Sequence, residues 1–502
     1  MIANTKARPN MPLADLLCPS GVRAAEALGA GELLVSGIAL DSRLVRPGDL
    51  FVAVPGEQHD GRKFIGQAIA NGAVAVVAEP SVAAYVDDVS VPVLEQVELS
   101  QDVGVLAAKF YGDPSRSLHI VGITGTNGKT TTSWLAAQLA RAAGARCGVI
   151  GTLGATINNK IVKVSNTTPD AISLQSQMAS WKEEGVTAVC MEVSSHALVQ
   201  GRVKGVSFET AVFTNLSHDH LDYHGSMAEY GRAKLQLFLT EGLTHAIVNL
   251  DDSYSAQLLG ALRKGVSITT YSAKGNRAAD VVISDALYHS SGVSAYIDSP
   301  WGSGEIRSPL IGDFNLANLA AALCAVAVMG SDFKKLLDVV ADLKTVPGRM
   351  QLIPNTLDVQ VVVDYAHTPD ALEQVIRALK AHISGRLVTV FGCGGDRDNT
   401  KRALMGRVAC ELSDSCIVTS DNPRSEDPEA ILRDIESGCL GSYRLQVDRA
   451  QAIASAVAMA KPGDCVLIAG KGHEDYQVIG AQRLHFSDEE QALAALARRN
   501  AL

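Results

Sequence analysis

Strand-length apolar runs recur along this chain with helix-length stretches between them. "LHIVGIT", "TAVCMEV", "AVFTNL" and "HAIVNL" lie in the middle; after "TVPGRM" (345–350) come "VQVVVDYAH", "RLVTVFGCGG", "DSCIVTSDNPR" and "DCVLIAGKGHE". This alternation constrains the fold more than any other feature, because strands apolar on both faces need helices over both, as a doubly wound parallel α/β sheet provides. The restart after Met350 marks a second α/β unit, and the first hundred residues carry short strands of their own, "GDLFVAVPG" and "AVAVVAEP". At 502 residues the chain exceeds a single core, and ordinary domain sizes give about three domains. The expected architecture is α/β, with bounds 1–98, 99–346 and 347–502.

Composition narrows the function classes. A net charge of -10 argues against broad nucleic-acid binding, which needs a basic face to displace counterions from phosphates. No apolar run reaches the roughly 18 residues of a membrane span, and the start, "MIANTKARPNMPLADLLCPS", lacks a secretory h-region, so a cytoplasmic protein is expected. Nine scattered cysteines, never spaced C-x-x-C, argue against a disulfide framework and a structural zinc site.

The stretch "GITGTNGKTT" (122–131) is close to a phosphate-binding loop but places Ile123 where the strict motif has its first glycine. Its setting decides the reading. An apolar strand leads in and a helical stretch with Trp134, Leu135 and Leu139 leads out, which aims backbone N–H groups and a helix N-terminus at phosphate. Lys129 then pairs with terminal phosphates and the Thr130 hydroxyl with Mg²⁺. The alternative is a ligand-free turn.

Other motifs are less decisive alone. Glu192 in "VCMEVSSH" ends a strand, where it either holds Mg²⁺ or caps the strand end with Ser194 and Ser195. His218, His220 and His224 in "LSHDHLDYH" lack an H-E-x-x-H pattern or a nearby cysteine, which leaves a polar loop or one histidine beside a magnesium site. "GCGGDRD" has Arg397 where a dinucleotide fingerprint needs glycine, and G-x-S-x-G is absent, so dehydrogenase and hydrolase readings lose support. "SDNPR" alone reads as an Asx-Pro turn. In the C-terminal third, though, four strands run directly into polar segments: 364–367, 392–396, 421–424 and 470–474. Open parallel sheets bind ligands at such strand ends, so the four are expected on one rim.

Taken in order, "GITGTNGKTTT", "NTTPD", "MEVSSHALVQGR", "FTNLSHDHLDYHG", "DFNLAN", "PGRM", "VVDYAHTPDAL", "FGCGGDRD", "DNPR" and "AGKGHEDYQ" resemble the Mur ligase family, which builds the peptidoglycan stem peptide. The likeness runs from about Leu40 to Tyr476. It implies an N-terminal UDP-substrate domain, a central P-loop-type ATPase domain and a C-terminal Rossmann-like domain that binds the amino acid. "DNPR" resembles the branch that adds meso-diaminopimelate to UDP-MurNAc-L-Ala-D-Glu, with ATP as co-substrate.

By that resemblance ATP falls on Gly125, Thr126, Asn127, Gly128, Lys129, Thr130 and Thr131, with Asn318, Arg349 and Asp364 around its base and ribose. Mg²⁺ falls near Thr130, Glu192 and His220. The UDP-sugar peptide falls on Leu40, Ser42, Glu57, Gln58, His59, Asn166, Thr167, Thr168, Ser194, Gln200 and Arg202. Diaminopimelate falls on Arg397, Asp421, Asn422, Pro423, Arg424, Gly470 and Glu474. Lys234 matches a lysine that the family carbamylates with CO2, and Lys129, Lys234, His220 and Glu192 form the catalytic set. A monomer with small-molecule partners is expected. Rival readings are the lysine-adding ligase, a non-ligase P-loop ATPase and a nucleotide-gated binding protein.

Overall fold

The structure is a computed structural model that describes residues 10–56, 59–85, 90–157, 160–162, 164 and 166–501. Glu57 and Gln58 lie outside the described residues. The chain divides into two compact units, Met1–Tyr271 with Ala321–Asp332, and Ser272–Ala320 with Phe333–Leu502.

Among the described residues the first unit holds a short antiparallel pair, Met11–Pro12 with Leu34–Val35, and two larger sheets. Strands β1 (Gly37–Ala39), β2 (Asp49–Ala53), β3 (Ala75–Ala78) and β4 (Val93–Glu95) form a four-stranded parallel sheet in that order. Helix α1 (Leu99–Phe110) follows and packs Leu99, Val103 and Leu106 into one core with Ala171 and Ile172 of α3 (Ala171–Glu183). The larger sheet contains β5 (His119–Thr124), β6 (Cys147–Gly151), β7 (Gly154–Ile157), β8 (Lys160–Val162), β9 (Ala188–Glu192), β10 (Thr210–Phe213), β11 (His245–Asn249) and β12 (Ser267–Ser272). Within it the order is β8-β7-β6-β9-β5-β10-β11-β12. Strands β6, β9, β5, β10, β11 and β12 run parallel, so the carboxyl ends of β9, β5 and β10 meet on one edge. The link from β5 to α2 (Lys129–Ala142) lies on that edge.

The second unit contains an antiparallel trio, β13 (Val281–His289), β14 (Gly292–Asp298) and β15 (Gly304–Ser308). Its main sheet has β16 (Gln351–Leu352), β17 (Gln360–Asp364), β18 (Leu387–Phe391), β19 (Ser415–Thr419), β20 (Tyr443–Gln446) and β21 (Cys465–Ala469), ordered β16-β17-β21-β18-β19-β20. All but β16 are parallel to their neighbours. Residues alternate between its two faces as the period of two requires. Val362 packs with Leu372 and Ile376 of α6 (Pro369–Lys380), while Val361 and Val363 pack with Ile453 of α9 (Arg449–Met459) and Leu496 of α10 (Asp488–Asn500). Between α6 and the last pair come α7 (Thr400–Leu412) and α8 (Pro428–Glu436). The sheet is thus covered on both sides, and its ligand-accessible edge is the carboxyl rim.

Candidate active site

The β5–α2 loop turns at Gly125, whose φ of +152° suits glycine, and a Cβ there would lie 1.9 Å from the Thr214 hydroxyl. Residues after β10 hold the loop's outer side: Thr126 N donates to Asn215 O and Asn127 N to Asn215 Oδ1, both at 2.9 Å. The first N–H groups of α2 have no partner further back in the helix, so Lys129, Thr130 and Thr131 present donors where the loop opens. Lys129 Nζ folds back to donate to the carbonyls of Gly125 (2.8 Å) and Thr126 (2.7 Å).

A second lysine reaches the same loop. Lys234, on α4 (Met227–Leu235), is 1% exposed and donates to Gly125 O at 2.7 Å. Its ammonium also lies 4.3 Å from the ring centre of Tyr230. Burial, with the charge of Lys129 adding to it, pushes its pKa well below the usual lysine range.

Glu192 ends β9 beside the loop and is 1% exposed. Oε2 accepts from Thr130 Oγ1 (2.9 Å) and Thr152 Oγ1 (3.2 Å), and Oε1 from Thr152 N (2.8 Å). A Cβ on Gly151 would lie 2.1 Å from Oε1, so that glycine makes room for the carboxylate. Buried carboxylates ordinarily have a cationic partner, yet among the described residues Glu192 hydrogen-bonds only to hydroxyls and an N–H. A hard divalent cation fits this donor set: Mg²⁺ is usually bound by one or two carboxylates plus substrate phosphates. Among the described residues no group of three or more His, Cys, Asp or Glu is arranged to hold a metal.

Further along the same edge, Thr168 Oγ1 donates to Glu192 O at 2.9 Å, Ser194 N donates to Thr168 Oγ1 at 3.1 Å, and Arg202 Nη1 donates to Thr168 O at 3.1 Å. Gln200 Nε2 donates to Tyr223 OH at 3.2 Å, and Thr167 Oγ1 lies 3.2 Å from Thr152 Oγ1. Asn166 begins this segment. His220 sits at φ +52° with its ring 4.9 Å from that of His196. His196 also stacks near Tyr223 at 4.1 Å, a position that motif reading passed over. In the N-terminal sheet, Ser42 Oγ donates to Gln67 Oε1 at 2.8 Å, Leu40 packs on the core, and His59 is exposed.

In the second unit the Asp364 carboxylate accepts from Met350 N and Ala366 N, both at 2.7 Å, tying the "PGRM" loop to the end of β17. Burial raises its pKa against the opposing pull of Arg349. The Arg349 guanidinium lies 4.3 Å over the Tyr365 ring. Asn318, buried on helix α5 (Asp313–Ala327), donates to Asn315 Oδ1 at 3.0 Å. Gly348 and Gly472 pack against one another: a Cβ on Gly348 would lie 2.1 Å from His473 N, and one on Gly472 would lie 2.7 Å from Gly348 O.

The rim residues interlock. Gly470 N donates to Asp364 O (3.1 Å), Gly395 N to Asn422 O (2.9 Å) and Arg424 Nη1 to Gly395 O (2.5 Å). Arg424, at φ +52°, also bonds through its backbone to a hairpin of β22 (Tyr476–Ile479) and β23 (Gln482–His485), by Arg424 N to Val478 O at 3.0 Å. Asn422 Nδ2 donates to Glu474 Oε2 at 2.8 Å, and Asp421 Oδ1 accepts from Asn422 N at 2.6 Å. Pro423 O accepts from Glu426 N at 3.0 Å, and Arg397 is exposed. Beneath the rim, a fully buried Arg449–Asp488 pair at 2.7 Å sends its guanidinium to Ala469 O (2.9 Å) and Ser420 O (3.4 Å), the residues just before the two rim loops.

A phosphate loop beside a buried carboxylate in one unit, and a charged strand-end rim in the other, belong to the class of ATP-dependent, amide-forming ligases of three α/β domains. The Mur ligase family catalytic domain matches residues 34–111, the Mur ligase middle domain 123–326, and the Mur ligase glutamate ligase domain 348–472. The chain belongs to the Mur ligase family. It is 45% identical over 470 residues to the UDP-N-acetylmuramoyl-L-alanyl-D-glutamate--2,6-diaminopimelate ligase of Coxiella burnetii, spanning 93% of this chain and 96% of that one. Identity to the enzyme of that name from Pseudomonas aeruginosa is 46% over 468 residues, spanning 93% and 96%. A solved structure of a ligase with this name superposes with a TM-score of 0.72 at 40% identity, covering 94% of this chain and 96% of the other. The fold extends to Mycobacterium tuberculosis folylpolyglutamate synthase complexed with ADP, at TM-score 0.61 and 20% identity over 75% of this chain and 92% of that one. Among the described residues no helix is long and apolar enough to cross a membrane.

Proposed function

We propose that this chain uses ATP to join meso-2,6-diaminopimelate to UDP-MurNAc-L-Ala-D-Glu, a step of peptidoglycan precursor synthesis, in the cytoplasm where both nucleotides are available. The observation that carries the reading is the rim of Arg424, Asn422 and Glu474: a guanidinium, an amide and a carboxylate suited to an amino acid end that bears both a carboxylate and an ammonium. The relatives that match along nearly the whole chain carry the name of this activity.

The chemistry follows from a carboxylate being a poor electrophile. An oxygen of the D-glutamyl carboxylate attacks the γ-phosphorus of ATP and ADP leaves, giving an acyl phosphate. The amine of diaminopimelate, having lost its proton, then attacks the acyl carbon and phosphate leaves. Lys129 and the first N–H groups of α2 stabilise the transferring phosphoryl charge. Thr130, Glu192 and His220 would hold Mg²⁺, which when bound neutralises charge between the phosphate oxygens. Thr167, Thr168, Ser194, Gln200 and Arg202 orient the UDP-sugar peptide, and Asn318, Arg349 and Asp364 the nucleoside. Burial lowers the pKa of Lys234, which suits it to react as the free amine: its nitrogen would bond to the carbon of CO2 and give up a proton to solvent, leaving a carbamate anion beside the phosphate loop.

Phosphate release from ATP with UDP-MurNAc-L-Ala-D-Glu tests the reading, with diaminopimelate and L-lysine compared side by side. Release dependent on diaminopimelate and weak with lysine is expected. Release with neither would overturn it, and preference for lysine would move the chain to the lysine-adding branch.

A further inference from the structure

Lys471 is 0% exposed, although it sits in the middle of the rim segment 470–474, and no motif reading gave it a part. Its Nζ donates to Asn422 Oδ1 (3.1 Å) and to Glu474 Oε2 (3.2 Å). Val478 N donates to the same Asn422 oxygen at 3.0 Å. With both acceptor positions of that oxygen taken, the amide has one orientation, and its Nδ2 reaches Glu474 Oε2 at 2.8 Å. Tyr476 closes another side, its ring centre 5.5 Å from the ammonium. Two donors therefore hold one oxygen of Glu474, and among the described residues Oε1 accepts no hydrogen bond.

Burying a lysine this completely is costly, and an apolar side chain of similar volume would stabilise the fold as well or better. Its worth lies in what it fixes. We propose that Lys471 is a positioning residue for the amino acid substrate: it pins Glu474 by Oε2 and sets the Asn422 amide, so that Oε1 is held ready for the distal ammonium. This rests on the diaminopimelate reading above. Because L-lysine carries the same distal ammonium and lacks only the carboxylate, Lys471 acts on both amino acids alike, unlike a residue that reads the carboxylate.

Steady-state kinetics of the full chain test this with Lys471→Met, Glu474→Gln and the double variant. Lys471→Met is expected to raise KM for diaminopimelate about 30-fold or more, as loss of one member of a buried charge pair does. KM for ATP should stay within about twofold, and kcat/KM for L-lysine should fall in parallel. In the Glu474→Gln background, Lys471→Met should add less than about threefold, since residues acting through one another are non-additive. Equal rises in KM for ATP and diaminopimelate, or fully additive losses in the double variant, would reduce Lys471 to a structural residue. If Lys471→Met does not fold, Lys471→Ala goes through the same cycle; it removes the donor altogether, and an unmoved diaminopimelate KM there overturns the proposal. Absence of diaminopimelate-dependent phosphate release by the unaltered chain overturns the substrate reading and this proposal with it. Normal release with unmoved KM in the variants overturns this proposal alone.

Discussion

Lys129 and Lys234 donate to the same oxygen, the carbonyl of Gly125, at 2.8 and 2.7 Å. Two ammonium groups around one acceptor repel, and the buried one yields: the pKa of Lys234 is lowered by burial first and by Lys129 second. The geometry separates the two roles. Lys129 is half-buried where the loop opens, while Lys234 is sealed in at 1% exposure.

Lys129→Ala should fold and lose at least about 10²-fold to 10³-fold in kcat, the cost of removing one group aimed at developing phosphoryl charge. Phosphate-release kinetics and a melting curve on the same sample check both halves. A variant that ligates at the unaltered rate would make the loop a structural turn.

Lys234 should carry CO2 in the active enzyme. Bicarbonate-depleted protein is expected to lose activity and regain it on bicarbonate addition, whereas Lys234→Ala and Lys234→Arg should stay inactive under both conditions. Density for a bare amine at full occupancy in a substrate-bound, active crystal would rule the carbamate out.

Arg424 should set the choice of amino acid. A guanidinium can grip the distal carboxylate of diaminopimelate by two charge-assisted bonds, and with lysine bound those donors are left unpaired. Arg424→Ala is expected to lose about 2–5 kcal/mol, roughly 1.5 to 3.5 decades in kcat/KM, with diaminopimelate, while activity with lysine holds or rises. Arg424→Lys should recover part. Equal losses for both amino acids would mean that Arg424 only braces the Gly395 loop.

His473 gives a stability prediction with a definite sign. Burial, then the charge of Arg349, lowers its pKa to about 4, below the ordinary value near 6.5. The folded chain therefore binds fewer protons than the unfolded one between those values, and stability is lost as pH falls from about 6.5 to about 4. The full span is worth about 3 kcal/mol. Urea midpoints at pH 7.5 and 5 should differ more for the unaltered chain than for His473→Asn; identical pH slopes would show that the ring does not govern the effect.

Much of the site is legible in sequence wherever function and strand ends coincide. The four C-terminal strands run into polar segments, and in the structure they are parallel neighbours whose end loops bond to one another. The loop before Lys129 is readable because strand, glycines and helix are contiguous. Lys234 and Lys471 are not readable. "EYGRAKLQLF" looks like an ordinary surface helix, and only the packing of α4 turns Lys234 toward a carbonyl 109 positions away. Lys471 lies amid glycines that suggest an open turn, yet a hairpin and Asn422 close over it. Burial of a charge comes from long-range contacts, which local composition does not record.

The face-to-face packing of Gly348 and Gly472 bears on drug resistance. Any side chain added at Gly348 would drive into the backbone at His473, and one at Gly472 into the backbone at Gly348. Both also hold positive φ, +68° and +54°, which side chains disfavour. A compound anchored on the main chain of these two loops would meet a surface with few viable substitutions, so escape from it would have to come from elsewhere in the chain.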